Sequence, residues 1–133
     1  MGLTEEERAI LVALESEKAD KLIAEAEQIA TLQLWDAVAN RLYYAAFHAV
    51  SALLIENKHA VNTHRGTVIT FGNFFVKTGI VSKEDGKLYS QLQSMRESGD
   101  YNCYIEATET EIRPKIAETK AFVATIQSLL KKN

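Results

Sequence analysis

Apolar residues along this chain recur three and four positions apart with polar residues between them, and β-branched residues nowhere alternate with polar ones over the length of a strand. That spacing belongs to helices that bury one face. Five helices follow from it. The first opens at Thr4-x-x-Glu7, where a hydroxyl and a carboxylate three residues apart can satisfy the free amides of a helix start, and runs to about Ala30 through Leu11, Leu14, Leu22, Ala26 and Ile29. The second spans about Trp35 to Glu56. A third runs from Thr63 or His64 to about Lys77, where Gly79 can take the left-handed backbone that closes a helix. Ser82 and Asp85 open a fourth, with Leu88, Leu92 and Met95 inward, which reaches about Glu97 before Ser98-Gly99-Asp100 breaks it. Residues 98–107 then read as a loop rich in tyrosine. Thr108-x-x-Glu111 begins the last helix, which carries Ile112, Ile116, Val123, Ile126 and Leu130. Pro114 falls at its sixth position, so that helix either kinks there or starts nearer Thr110. The expected architecture is all-α: one domain over residues 1–133, an up-and-down bundle of about five helices with short connections and mostly antiparallel neighbours.

Composition narrows the setting. A chain of 133 residues supports one sizeable core without staples. A formal charge of -3 and a pI near 5.6 give no global basic field, so contact with nucleic acid has to come from a local patch. Cys103 is the only cysteine, which excludes an intrachain disulfide and a Cys-rich metal site and fits a reducing cytosol. The segment Met1-Gly2-Leu3-Thr4-Glu5-Glu6-Glu7 is acidic where a secretory signal is basic, and no apolar run approaches the roughly 20 residues that cross a bilayer. The expectation is a cytoplasmic protein that needs no cofactor, metal or membrane.

Candidate chemistry concentrates in the second helix. Trp35, Val38, Leu42, Ala46, Ala49 and Leu53 line one face and account for burial, while Asn40, Arg41, Tyr44 and His48 gather on a neighbouring one. Tyr and Arg are enriched where a surface is buried against a partner, because one end of each is apolar or planar and the other polar. The stripe therefore reads as a dimer contact or as a platform for phosphate and base. His64 reads as a hydrogen-bonding residue at a helix start, with no Cys or carboxylate at ligand spacing. Phe71, Phe74 and Phe75 read as core, His59 as a turn residue without a role, and Lys131-Lys132 as favourable charge at a helix C-terminus.

Four spaced motifs, taken together, carry a resemblance: Asn40-Arg41-x-Tyr43-Tyr44-Ala45-x-Phe47, Thr63-His64-x-Gly66, Phe74-x-x-Lys77-x-Gly79 and Arg96-x-x-x-Asp100-Tyr101. In this order they resemble the HEPN domain in its small stand-alone branch, from about Leu22 to Leu130. The resemblance implies a helical bundle that dimerises through its central helices and is often encoded beside a minimal nucleotidyltransferase as a toxin and antitoxin pair. That partner has to act in trans, since nothing in this chain resembles the Gly-Ser and paired-Asp signature of a nucleotidyltransferase.

In active members of the wider family, an Arg followed four to six residues later by His forms a metal-independent ribonuclease site built from both subunits. Here Arg96 stands at the first position and Tyr101 at the second. Arg96 can supply a fixed charge with a planar fork for phosphate. Tyr101, with a reference pKa near 10 against about 6.5 for His, is a poor base at neutral pH, and His48 or His64 is available to replace it. The plain alternative makes Arg96 and Asp100 an ion pair, with Tyr101 and Tyr104 packed on the bundle. The leading reading is thus a subunit that binds a nucleotidyltransferase, and RNA or a nucleotide, without robust catalysis. The alternative is a metal-independent endoribonuclease toxin using Arg96 in a dimeric site. A further consequence of the resemblance is that such a partner can adenylylate a tyrosine near the motif, here Tyr101 or Tyr104.

Overall fold

The computed structural model describes residues 2–101 and 106–131, with 99–101 described in backbone only. Its elements are α1 (Glu5–Ala30), α2 (Trp35–Glu56), α3 (His64–Phe71), a π-helical turn (Gly72–Val76), α4 (Lys83–Tyr101) and α5 (Glu109–Ser128). No strand occurs among the described residues.

The second helix organises the rest because its sequence is apolar nearly all the way round. Val38, Leu42, Ala46, Ala49 and Leu53 are buried as the periodicity requires, and so are Tyr43, Ala45, Val50, Ala52 and Leu54. A helix apolar on all sides belongs in the middle of a bundle. α2 accordingly packs against α1, α3, α4 and α5, and its run of alanines lets α1 lie close along it. Trp35 is only half-buried, at the start of α2, where the Arg113 guanidinium stands 5.0 Å from its ring. Behind α2, Phe71, Tyr89 and Phe122 meet at centroid distances of 5.6 to 6.0 Å and join α3, α4 and α5 in one aromatic cluster.

Side-chain caps begin the helices where the sequence places them. Thr4 and Glu7 form the reciprocal box, Ser82 Oγ accepts from the Asp85 amide at 3.1 Å, and Thr108 Oγ1 accepts from the Glu111 amide at 3.3 Å. Gly79 takes φ 82°, the left-handed conformation expected of it. α5 begins directly after Thr108 and runs through Pro114. The carbonyl left without an amide partner by the proline ring is that of the exposed Thr110, where water can replace the lost bond.

Four expectations need correction. Leu14 is 55 % exposed, because only the second half of α1, from Ala19 onward, is enclosed by the bundle. The third helix does not continue as an α-helix to Lys77. It turns π-helical at Gly72, with the Lys77 amide reaching back five residues to the Gly72 carbonyl at 2.9 Å. Across that turn Phe71 and Phe75 face inward, whereas Phe74 is 51 % exposed and covered on one side by the His59 ring at 4.3 Å. Finally, Ser98-Gly99-Asp100 does not stop α4, which continues to Tyr101. A glycine inside a helix costs only about 1 kcal/mol relative to alanine, too little to end one where no left-handed turn forms. Residues 102–105, including Tyr104, and the side chains of Asp100 and Tyr101 lie outside the described residues.

Candidate functional site

The site is assembled from three helices. Thr63 caps α3 by accepting from the Gly66 amide at 2.8 Å, and a Cβ at position 66 would fall 2.8 Å from that same hydroxyl, so any side chain there would require the hydroxyl to shift. The cap fixes the first residue of α3, His64, against α2. There the imidazole Nδ1 shares a 2.6 Å hydrogen bond with the hydroxyl of Tyr43, and its ring lies 4.5 Å from that of Phe47. From α4, the Arg96 guanidinium sits 5.5 Å from the centroids of both Tyr43 and Tyr44. A cation over aromatic faces is held in place by the ring quadrupoles, more strongly as water is excluded. Between the start of α3 and the last turns of α4 opens a cleft of about 550 Å³, lined by His64, Arg65, Gln93, Arg96, Glu97 and Ser98.

Burial sets the protonation of this group. It pushes the Tyr43 phenol up to about 12, so Tyr43 stays protonated at any physiological pH. Partial burial is also the main cause that lowers the pKa of His64, assisted by the positive charges of Arg96 and His48 and opposed by Glu97. At neutral pH the cleft therefore presents a neutral imidazole beside two fixed guanidinium charges. Tyr89, stacked on Tyr43 at 6.1 Å, is fully buried, and burial, with the neighbouring Tyr43 phenol, raises its pKa well above the ordinary value.

The polar stripe of α2 is divided between two neighbours. Arg41 Nε pairs with Glu25 of α1 at 3.0 Å and its Nη1 donates to Asn40 at 2.8 Å, while His48 Nδ1 pairs with Glu15 at 2.7 Å. Those three residues are thus engaged by their own chain, and only Tyr44 reaches the cleft group, beneath Arg96. Of the residues singled out in the sequence, the structure brings together His64, Arg96 and Tyr44. It keeps Asn40, Arg41 and His48 to one side, and Asp100, Tyr101 and Tyr104 lie outside the described side chains. Sequence reasoning missed Tyr43, which falls between the two stripes of α2 and was quoted only as part of a motif, and Arg65 and Gln93, which carried no signal. Among the described residues no three His, Cys, Asp or Glu side chains are placed to hold a metal ion, and no helix is long and apolar enough to cross a membrane.

Comparison with known proteins agrees with the motifs: the HEPN domain family matches residues 14–129, and the chain belongs to that family. It is 38 % identical over 91 residues to a UPF0332 protein of Thermotoga maritima, covering 68 % of this chain and 69 % of that one. A UPF0332 protein of Archaeoglobus fulgidus is 28 % identical over 116 residues, 87 % of this chain and 92 % of the relative. A protein of Methanocaldococcus jannaschii named "Putative toxin MJ0605" is 35 % identical over 96 residues, 72 % and 70 % of the two chains.

Proposed function

We propose that this HEPN protein is the toxin-like subunit of a two-component pair: a cytoplasmic homodimer whose partner is a minimal nucleotidyltransferase acting in trans, and whose Arg96 cleft receives the phosphate backbone of an RNA or the phosphates of a nucleotide. The observation that carries this reading is Arg96 held over two tyrosine rings at the edge of an open cleft that Arg65 and His64 also line. A guanidinium fixed in orientation offers a planar fork to phosphate at little entropic cost. Tyr44, half-buried beneath it, offers a ring face near the cleft. The names of the relatives from Methanocaldococcus jannaschii favour the toxin half of such a pair over its antitoxin.

In this reading Tyr101 or Tyr104 is the tyrosine that the partner adenylylates. The test is co-expression with the nucleotidyltransferase encoded beside it, followed by size-exclusion chromatography and intact-mass measurement after addition of ATP. The expected result is a dimer when alone, a larger complex with the partner, and the mass of an added nucleotide on Tyr101 or Tyr104. A monomer that ignores every neighbouring nucleotidyltransferase would sink the proposal.

A further inference from the structure

A second cavity, of about 540 Å³, lies between the first turns of α1, the last turns of α2 and the segment 58–63 that leads into α3. Its volume falls in the range of roughly 300–1,000 Å³ that small-molecule sites occupy. Phe47, Ser51 and Leu54, spaced three and four residues apart, turn one face of α2 toward it, and Val61 adds to the same lining. Phe47 and Val61 are half-buried, so apolar surface is left there for a ligand to cover.

Arg8 gives the cavity its charge. Its Nη1 donates to the Ile55 carbonyl at 2.8 Å, which ties α1 to the last turn of α2 and fixes the direction of the guanidinium. Nε is closed off from solvent and has no hydrogen-bond partner, and no carboxylate among the described residues pairs with Arg8. The cation has therefore given up part of its hydration without gaining a counter-ion. An anion that reaches the rest of the guanidinium gains more there than at a fully solvated arginine. The other charged groups of the lining are already engaged, Glu15 with His48 at 2.7 Å and Lys58 with Glu5 at 3.7 Å. A head group with one negative charge fits this balance, whereas one with two charges meets the Glu15 carboxylate with a single uncommitted cation to offset it.

We infer that this cavity is a binding site for a small carboxylate with an apolar body, the carboxylate on Arg8 and the body against Phe47, Leu54 and Val61. The site stands independently of what the Arg96 cleft receives. The two spaces nonetheless share a wall, because His64 lines both and its ring lies 4.5 Å from that of Phe47. A ligand seated on Phe47 therefore stands beside the residue that opens α3 and faces the cleft.

The experiment titrates octanoate into the protein by calorimetry, with 1-octanol and octyl phosphate as probes of the same chain length that carry no charge and two charges. Octanoate is expected to saturate, to bind about 10-fold or more tightly than octanol and at least as tightly as octyl phosphate, and to shift the imidazole NMR signals of His59 and His64. In Arg8→Gln the affinity for octanoate should fall by about 10-fold or more while that for octanol stays unchanged, which separates a lost charge from a lost cavity. Ser51→Leu, with a larger side chain in the lining, should weaken both. If Arg8→Gln does not fold, the three probes on wild type and the Ser51→Leu comparison decide. Octanoate that does not saturate, octanol that binds as tightly, octyl phosphate that binds more tightly, or octanoate affinity unchanged in Arg8→Gln or in Ser51→Leu overturns the inference.

Discussion

Phe122→Ala is expected to remove about 3–5 kcal/mol of folding stability, the range for deleting a buried aromatic ring. Phe122 is 1 % exposed and reaches from α5 to Phe71 of α3 and Tyr89 of α4, both at 6.0 Å. Its removal opens a cavity at the one place where three helices meet behind α2, and close-packed neighbours relax into such a space only in part. Because Phe71 and Tyr89 brace α3 and the middle of α4, the loss should also loosen the seating of His64 and Arg96. Thermal unfolding should show a melting temperature lower by about 10 °C or more. Ile10→Ala, at a position 60 % exposed in the first half of α1, should change stability by less than about 0.5 kcal/mol. A loss below about 1 kcal/mol for Phe122→Ala would mean that the aromatic cluster does not hold α3, α4 and α5 together.

The second large effect is alkaline. Tyr43 is raised to about 12 and Tyr89 well above its ordinary value, in both cases mainly by burial. In the unfolded chain both phenols ionise near 10, so between that pH and the folded values the unfolded state binds fewer protons than the folded one. Stability therefore falls as pH rises through this window. The difference at Tyr43 alone corresponds to a loss on the order of 1–3 kcal/mol between pH 10 and 12. Urea unfolding at successive pH values, with phenolate absorbance at each, should show this decline, and Tyr43→Phe should flatten part of it. His64 works at the other end. Its folded pKa is lowered, so its contribution is complete above about 6.5 and is lost as pH falls through the folded value. Stability that stays constant from pH 9 to 12 would contradict the buried, protonated phenols on which the cleft is built.

Much of the fold was legible because its punctuation is local. Thr4 with Glu7, Ser82 with Asp85, Thr108 with Glu111 and the left-handed Gly79 each act within a few residues, and each lies where the sequence placed it. What was not legible depends on distant neighbours. Leu14 has the spacing of a core residue, yet the bundle does not reach around it. Phe74 shares the helical spacing of Phe71 and Phe75 but is turned outward across the π-helical turn. Gly99 has the look of a stop, and α4 passes through it.

The site divides in the same way. Arg96, His64 and Tyr44 could be named from motif and residue type, but positions 43, 64 and 96 are brought together by packing that no periodicity expresses. Tyr43 went unassigned because an amphipathic reading gives a helix two faces, and α2 is buried on nearly all of them.

The central proposal is that the Arg96 cleft of this HEPN protein receives the phosphates of an RNA or a nucleotide, and the most direct measurement is the affinity of a short single-stranded RNA for wild type, Arg96→Ala and Arg65→Ala at two salt concentrations. The account predicts binding that weakens with salt, as phosphate contacts do, and an Arg96→Ala variant that still melts cooperatively but binds roughly 10-fold or more weakly, with a smaller loss for Arg65→Ala. An Arg96→Ala protein that binds RNA as tightly as wild type would contradict it.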